Sequence, residues 1–181
     1  IALDSGYEAI AKKSESYEIC FIPDNDYRGF LKRRVEGLEE RVEGGIFVDK
    51  DGKILGKHRG YPFYTIGQRK GLEIALGEPM YVTEIHPDTN QVTLGTQEEL
   101  LKTKMTVRGL NLQKYESLPE PMESLVKVRY KHPGSMAKIE QLGSEMSVHF
   151  YEEVSAIAPG QSAVFYEGDD VIGGGFIKKD H

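Results

Sequence analysis

Short runs rich in Val, Ile, Phe and Tyr, separated by glycines, set the rhythm of this chain, and apolar and polar residues alternate within most of them. A period of two between turn residues predicts strands joined by tight turns, so the fold class is mainly β, α+β in detail. Strands are expected over 46–48 and 53–55, around an Asp-Lys-Asp-Gly turn ending at Gly52, and over 81–86 and 91–94, around 87–90. Further strands are expected over 124–131, 136–141, 146–151, 162–167 and 171–177, the last pair turned by 168–170. Strands of that length and spacing predict a closed or nearly closed antiparallel β-barrel in the second half. One helix stands out. Asn25 or Asp26 caps it, Tyr27, Phe30, Leu31 and Val35 share a face, Arg28, Lys32, Arg33 and Arg34 lie largely opposite, and Gly37 marks its end. A shorter helical turn is expected over 98–101, and the first dozen residues are read as the end of a helix. Between 95 and 118 the periodicity weakens, which places a domain boundary near 103–106.

The 181 residues suffice for one full domain or two small ones, and 39% hydrophobic with 29% charged residues is a globular composition rather than a disordered one. No apolar run has the length of a membrane span. Asp and Glu outnumber Lys and Arg, 29 to 23, so the chain as a whole is not a basic nucleic-acid binder and any RNA contact must be local. The one cysteine rules out an internal disulfide and a zinc site of several thiolates, and points to a reducing cytoplasm. The sequence opens at Ile1 without Met or a secretory pattern, and is read as a cut from something longer.

Candidate chemistry gathers in three places. Cys20 lies in the apolar stretch 17–22 ahead of Pro23, five residues before the cationic helix. A buried cysteine acting as a small hydrophobe and a thiolate activated by nearby positive charge both fit that setting. The segment 58–71 interleaves His58, Arg59, Gln68, Arg69 and Lys70 with aromatics, hydroxyls and glycines, as suits phosphate approach and base contacts, or an ordinary solvated loop. From Tyr27 to Gly71 there are 11 Lys and Arg against 6 Asp and Glu, a basic stretch in an acidic chain. In 127–132 the alternation puts Lys127, Arg129 and Lys131 on one strand face, which can follow an RNA backbone or face solvent. Gln161, in Ala158-Pro159-Gly160-Gln161-Ser162, offers a donor and acceptors at a turn. The histidines are scattered without metal-ligand spacing, so no metal is expected, and no phosphate-binding loop or dinucleotide fingerprint is present. Gly173-Gly174-Gly175 is read as a strand kink or close packing, because no helix follows it.

Six stretches together resemble one family: Ser16-Tyr17-Glu18-Ile19-Cys20-Phe21-Ile22, Gly56-Lys57-His58-Arg59-Gly60, Tyr64-Thr65-Ile66-Gly67-Gln68-Arg69-Lys70-Gly71-Leu72, Val128-Arg129-Tyr130, Ala158-Pro159-Gly160-Gln161-Ser162 and Gly173-Gly174-Gly175. In this order they are similar to the bacterial tRNA-specific 2-thiouridylases. The resemblance implies an ATP-dependent enzyme that adenylates the C2 oxygen of the wobble uridine of tRNA and displaces AMP with persulfide sulfur. It makes Cys20 the persulfide cysteine and Arg129, Tyr130 and Gln161 contacts to tRNA, and it places the 58–70 segment in a tRNA-contacting central domain. The family's ATP-binding domain, with its pyrophosphatase loop, Mg and the partner cysteine of a transient disulfide, has no counterpart here. The implied division is 1–16 as the tail of that domain or a linker, 17–103 as the central domain, and 104–181 as a barrel like those of elongation factors. The fragment alone would be inactive and without a cofactor. Its implied partners are tRNA and a sulfur-donor protein, a cysteine desulfurase or relay protein; no membrane is involved, and a monomer is expected. Two rival classes are a non-catalytic RNA-binding or translation-associated barrel with Cys20 in its core, and a module that binds protein only.

Overall fold

The computed structural model describes residues 22, 26–75 and 77–179. The chain forms two compact units, the first through Arg41 and the second from Val42 onward. In the first, the Asp26 carboxylate accepts a hydrogen bond from Gly29 N–H at 2.8 Å and starts helix α1 (Tyr27–Arg34). Lys32, Arg33 and Arg34 fill its last turn, where cations meet the negative end of the helix dipole. The helix stops short of the expected Gly37, because the β-branched Val35 is already extended at φ −116 and ψ 102. A second helix, α2 (Leu38–Arg41), buries Leu38; the sequence pattern did not single it out. The expected helix end in the first dozen residues lies outside the described residues.

The second unit begins with strands β1 (Ile46–Val48), β2 (Ile54–Lys57), β3 (Tyr81–His86) and β4 (Gln91–Gly95), in the order β2-β1-β4-β3. Both expected hairpins form, and β1 also pairs in parallel with β4, setting Phe47 against Val92. Phe47, Val82, Val92 and Leu94 are fully buried in this small mixed sheet. A closed barrel follows, built from β5 (Leu101–Leu112), β6 (Met122–Lys127), β7 (Ser135–Leu142), β8 (Glu145–Ser155), β9 (Ser162–Glu167) and β10 (Asp170–Ile177). Its strand order is β10-β5-β8-β7-β6-β9, antiparallel at each pairing. Val107, Val126, Ile139, Met146, Val148, Phe165 and Ile172 fill the interior, each fully buried and each contributing about 1.5–3 kcal/mol of apolar burial. The fold is thus mainly β, with 45% of residues in strands.

Three local expectations change. The helical turn at 98–101 is a 3-10 turn over Glu98–Leu100. Strand β5 occupies part of the stretch whose periodicity had weakened. Strand β6 ends at Lys127 instead of 131: Val128 points into the core, His132 N–H donates to Arg129 O at 3.0 Å to close a turn, and Pro133, lacking an N–H, cannot continue the ladder. Lys127, Arg129 and Lys131 therefore do not share a strand face.

The triple glycine is explained by close backbone approach. A Cβ on Gly173 would sit 2.5 Å from Asn111 O, on Gly174 2.5 Å from Ala163 O, and on Gly175 2.6 Å from Arg108 O. These residues let β10 lie tight between β5 and β9, with a register shift on each side.

Candidate nucleic-acid interface

The 58–71 segment combines a buried anchor with exposed cations. His58 is 9% exposed, and its ring lies edge-on to Phe47 at 4.9 Å and against Tyr64 at 5.1 Å. Nδ1 accepts from Gly60 N–H at 2.9 Å, which leaves the imidazole proton on Nε2. That nitrogen is buried without a formed hydrogen bond. Burial holds the His58 pKa below 6.5, and the nearby Ile46 carbonyl offsets only part of this. Gln68 closes the following turn with both ends of its amide, accepting from Thr65 N–H at 3.1 Å and donating to Lys70 O at 3.0 Å. Backbone bonds from Gly67 N–H to Val82 O (2.8 Å) and from Val82 N–H to Gln68 O (2.9 Å) fasten this loop to β3. Arg69 and Lys70 are exposed at its tip, while Arg59, also exposed, pairs with Glu73 at 2.8 Å.

The loop between β8 and β9 is the meeting point of the other motifs. Ala156, at φ 56, turns the chain out of β8, and its N–H donates to Leu100 O at 3.1 Å. Gly67 packs here: at φ +85 it is in the region that favours glycine, and a Cβ would stand 2.9 Å from Ala156 Cβ. Arg129 holds the loop from the barrel side, one guanidinium nitrogen donating to Ser155 O at 3.0 Å and Ala156 O at 3.4 Å. Next to it Tyr130 is 86% exposed, a free aromatic face of the kind on which bases stack. Behind this turn His132 is buried with Nδ1 unpartnered, and burial, then the charges of Arg129 and Lys127, lower its pKa.

The loop ends at Gln161, whose side-chain oxygen is buried without a hydrogen-bond partner. Its backbone is fixed on both sides, Gln161 N–H donating to Ala158 O at 3.2 Å and Ile177 N–H to Gln161 O at 2.8 Å. Gln161 lines a cleft of about 400 Å³ together with Thr65, Ile66, Ile85, Ile157 and Pro159. The fold thus brings the 64–71 loop, Arg129 and the 158–161 turn to one region. Sequence reasoning missed the cleft partners Lys102 and Lys179, which also line it. Lys102 belongs to the unrecognised strand β5, and Lys179 follows the last strand as one charge among several.

Cys20 lies outside the described residues. The N-terminus of α1 does not offer ATP a phosphate site, since it is taken by the Asp26 carboxylate, which would repel a phosphate. Among the described residues, no three His, Cys, Asp or Glu side chains converge as metal ligands, and no helix is long and apolar enough to cross a membrane.

Two family models match the chain. Residues 28–96 match one described as a tRNA methyl transferase PRC-barrel domain, and residues 102–177 one described as an aminomethyltransferase beta-barrel domain. The tRNA-specific 2-thiouridylase MnmA of Amoebophilus asiaticus is 62% identical over 179 residues, covering 98% of this chain and 48% of that protein. The protein of the same name from Cytophaga hutchinsonii is 60% identical over 179 residues, covering 98% and 49%, and that from Salinibacter ruber 51% over 178 residues, covering 98% and 46%. The chain spans about half the length of the curated relatives it matches. With both halves matched by family models and with identity at this level along nearly all of its residues, the chain belongs to the tRNA-specific 2-thiouridylase family.

Proposed function

We propose that this chain is the sulfur-relay and tRNA-docking portion of a tRNA 2-thiouridylase that acts on the wobble uridine. The observation that carries the reading is 62% identity over 98% of the chain to a protein named a tRNA-specific 2-thiouridylase. Cys20 receives sulfur as a persulfide from a cysteine desulfurase or relay protein: its thiolate attacks the donor's outer sulfur, and the donor's own cysteine thiolate leaves. The outer sulfur then attacks C2 of the adenylated uridine, the C2–O bond breaking as AMP leaves, and the S–S bond breaks as the thiolate of a second cysteine, outside this sequence, closes a transient disulfide with Cys20. Activation by ATP belongs outside this sequence as well, so this chain alone is inactive. Its own residues bind and orient RNA. Arg59, Arg69 and Lys70 meet phosphates, Tyr130 offers a stacking face, and Gln161 offers hydrogen bonds. His58, Gln68 and Arg129 act chiefly by holding the loops that present these groups. The proposed division is 17–103 for the Cys20 and RNA-contacting part and 104–181 for the barrel, after a leading segment 1–16, in a monomeric cytoplasmic protein.

Incubating the chain with a cysteine desulfurase and cysteine, then weighing it, tests the sulfur role. A gain of one sulfur atom that is lost in Cys20→Ser is the expected result. A Cys20 that stays unmodified, both in this chain and in a full-length relative carrying its sequence, while the desulfurase turns over, contradicts it.

A further inference from the structure

Strand β5 outruns its neighbour β8. Their pairing starts with Leu101 opposite Ser155, beside the β8–β9 loop, and stops with Arg108 opposite Glu145, where β8 begins. From Gly109 to Leu112 β5 continues with β10 as its one strand partner, Asn111 against Gly174 and Leu112 against Gly173. The side left free by β8 opens on a groove of about 830 Å³, flanked by the β7–β8 turn at Ser144 and by Tyr115 beyond the strand. Backbone alternation shows which groups face it. Gln113 N–H donates to Ile172 O at 2.8 Å, and a Cβ on Gly173 would lie 2.5 Å from Asn111 O, so residues 111 and 113 direct their backbone polar groups at β10. Those of Leu110 and Leu112 therefore point the other way, into the groove, where no strand among the described residues pairs with them. The side chains of both leucines are only partly buried against the barrel core, which leaves apolar surface beside the free edge. A second extended backbone matches such an edge donor to acceptor along its length.

Length and charge narrow the partner. Four free residues accept about four residues of added strand, roughly 13 Å. The charged residues lining the groove are Arg108, Lys114, Glu116 and Glu145. Lys114 is paired with Glu167 and Asp170, and Glu145 with Lys178 at 2.7 Å. Arg108, just before the free edge, and Glu116, just after it, are exposed and form no side-chain ion pair or hydrogen bond among the described residues. Antiparallel pairing, the slightly more stable kind, sets the C-terminal end of an added segment at Arg108 and its N-terminal end toward Glu116. We infer that the free edge of β5 binds a short extended peptide segment of a partner protein, with a carboxylate at its C-terminal end on Arg108 and a cation at its N-terminal end toward Glu116. Along β5 this edge starts roughly 27 Å from the residue that pairs beside the β8–β9 loop. The site is thus separate from the loops proposed to meet RNA, and stands without that reading.

The experiment follows backbone amide exchange by NMR in the full chain, alone and with the hexapeptide Lys-Thr-Val-Thr-Val-Asp. In the free chain the amides of Leu110 and Leu112 should exchange much faster than that of Val107, which lies between β8 and β10. With the peptide at ten times its dissociation constant, expected on the order of 0.1–1 mM, exchange at both should slow about tenfold. Arg108→Gln should weaken binding about two- to fivefold, as the loss of an exposed ion pair does. Ser144→Trp, at an exposed turn position, fills the groove and should weaken it about tenfold or more. Amides of Leu110 and Leu112 that are already protected in dilute free chain overturn the free edge. Protection that rises with chain concentration without peptide assigns the edge to a second copy and overturns the peptide. No change at these amides with peptide at about 5 mM overturns it too, because the pairing rests mainly on backbone and tolerates sequence. Wild-type affinity in Arg108→Gln overturns the charge assignment. None of these outcomes alters the Cys20 or tRNA reading.

Discussion

Replacing Arg129 by Met isolates what its guanidinium does for the β8–β9 loop, since Met keeps much of the aliphatic stem. The change removes the charge-assisted hydrogen bonds to Ser155 O at 3.0 Å and Ala156 O at 3.4 Å. Hydrogen bonds to a charged group contribute about 1.5–3 kcal/mol each. The longer of these two is weak, and Arg129 is exposed, so solvent screening reduces the sum to about 1–2 kcal/mol. That free energy acts locally, on the opening of the loop, and corresponds to a factor of about 5–30 in its open population. The readout is amide hydrogen exchange at Ala156, Gly160 and Gln161, whose N–H groups donate to Leu100 O (3.1 Å), Ile177 O (2.8 Å) and Ala158 O (3.2 Å). These three amides should exchange about 5–30-fold faster in Arg129→Met, while buried barrel amides such as that of Val148 keep their wild-type rates. Unchanged exchange at the three sites would refute the role of Arg129 as a loop anchor. An equal acceleration throughout the barrel would refute its locality.

Other outcomes follow from the same geometry. Gly174→Ala should destabilise the barrel by about 1–3 kcal/mol in urea unfolding, because the added Cβ meets Ala163 O at 2.5 Å; a gain of about 0.4–1 kcal/mol, the usual effect at an unstrained position, would contradict the close-approach argument. His58 and His132 are both held below their ordinary value of 6.5, chiefly by burial. In the unfolded chain they take up protons as pH falls through about 6.5, and in the folded chain they resist, so acidification from that point costs stability until the lowered folded values are reached. The urea midpoint should therefore fall between about pH 7.5 and 5.5, and fall less steeply in His58→Phe; an identical pH slope in that variant counts against the burial argument. Arg69→Gln and Lys70→Gln should each reduce the salt slope of tRNA binding by roughly 0.7–0.9 with folding intact, whereas unchanged slopes would remove both cations from the interface.

The parts of the fold legible in the sequence are those set by neighbours along the chain. The 49–52 turn, the 87–90 turn and the strand at 162–167 were readable because alternation and turn residues sit next to each other. Strand β5 was not, since only Met105 and Val107 of its twelve residues are fully buried and Lys102, Lys104 and Arg108 interrupt the apolar signal. The parallel pairing of β1 with β4 was hidden for a different reason, because it joins residues such as Phe47 and Val92 that no local pattern connects. At the candidate site, the sequence displays Arg59, Arg69, Lys70 and Tyr130 as chemistry. It does not display that the His58 ring packs on Phe47 and Tyr64, that Gln68 spends both amide ends on its own turn, or that Arg129 reaches two carbonyls of a loop 26 and 27 residues away. The cleft at Gln161 was least visible, because its lining comes from five separate stretches of chain.

The central claim, as we propose it, is that the chain carries the transferable sulfur on Cys20 and docks tRNA through the 58–71 loop and the loop between β8 and β9. The most direct measurement is 2-thiouridine formation on tRNA by the full-length enzyme that we propose contains this chain, supplied with ATP and a sulfur donor, with Cys20→Ser beside the wild type. The account predicts that the variant binds tRNA with wild-type affinity and forms no 2-thiouridine. Undiminished thiolation by Cys20→Ser would contradict it.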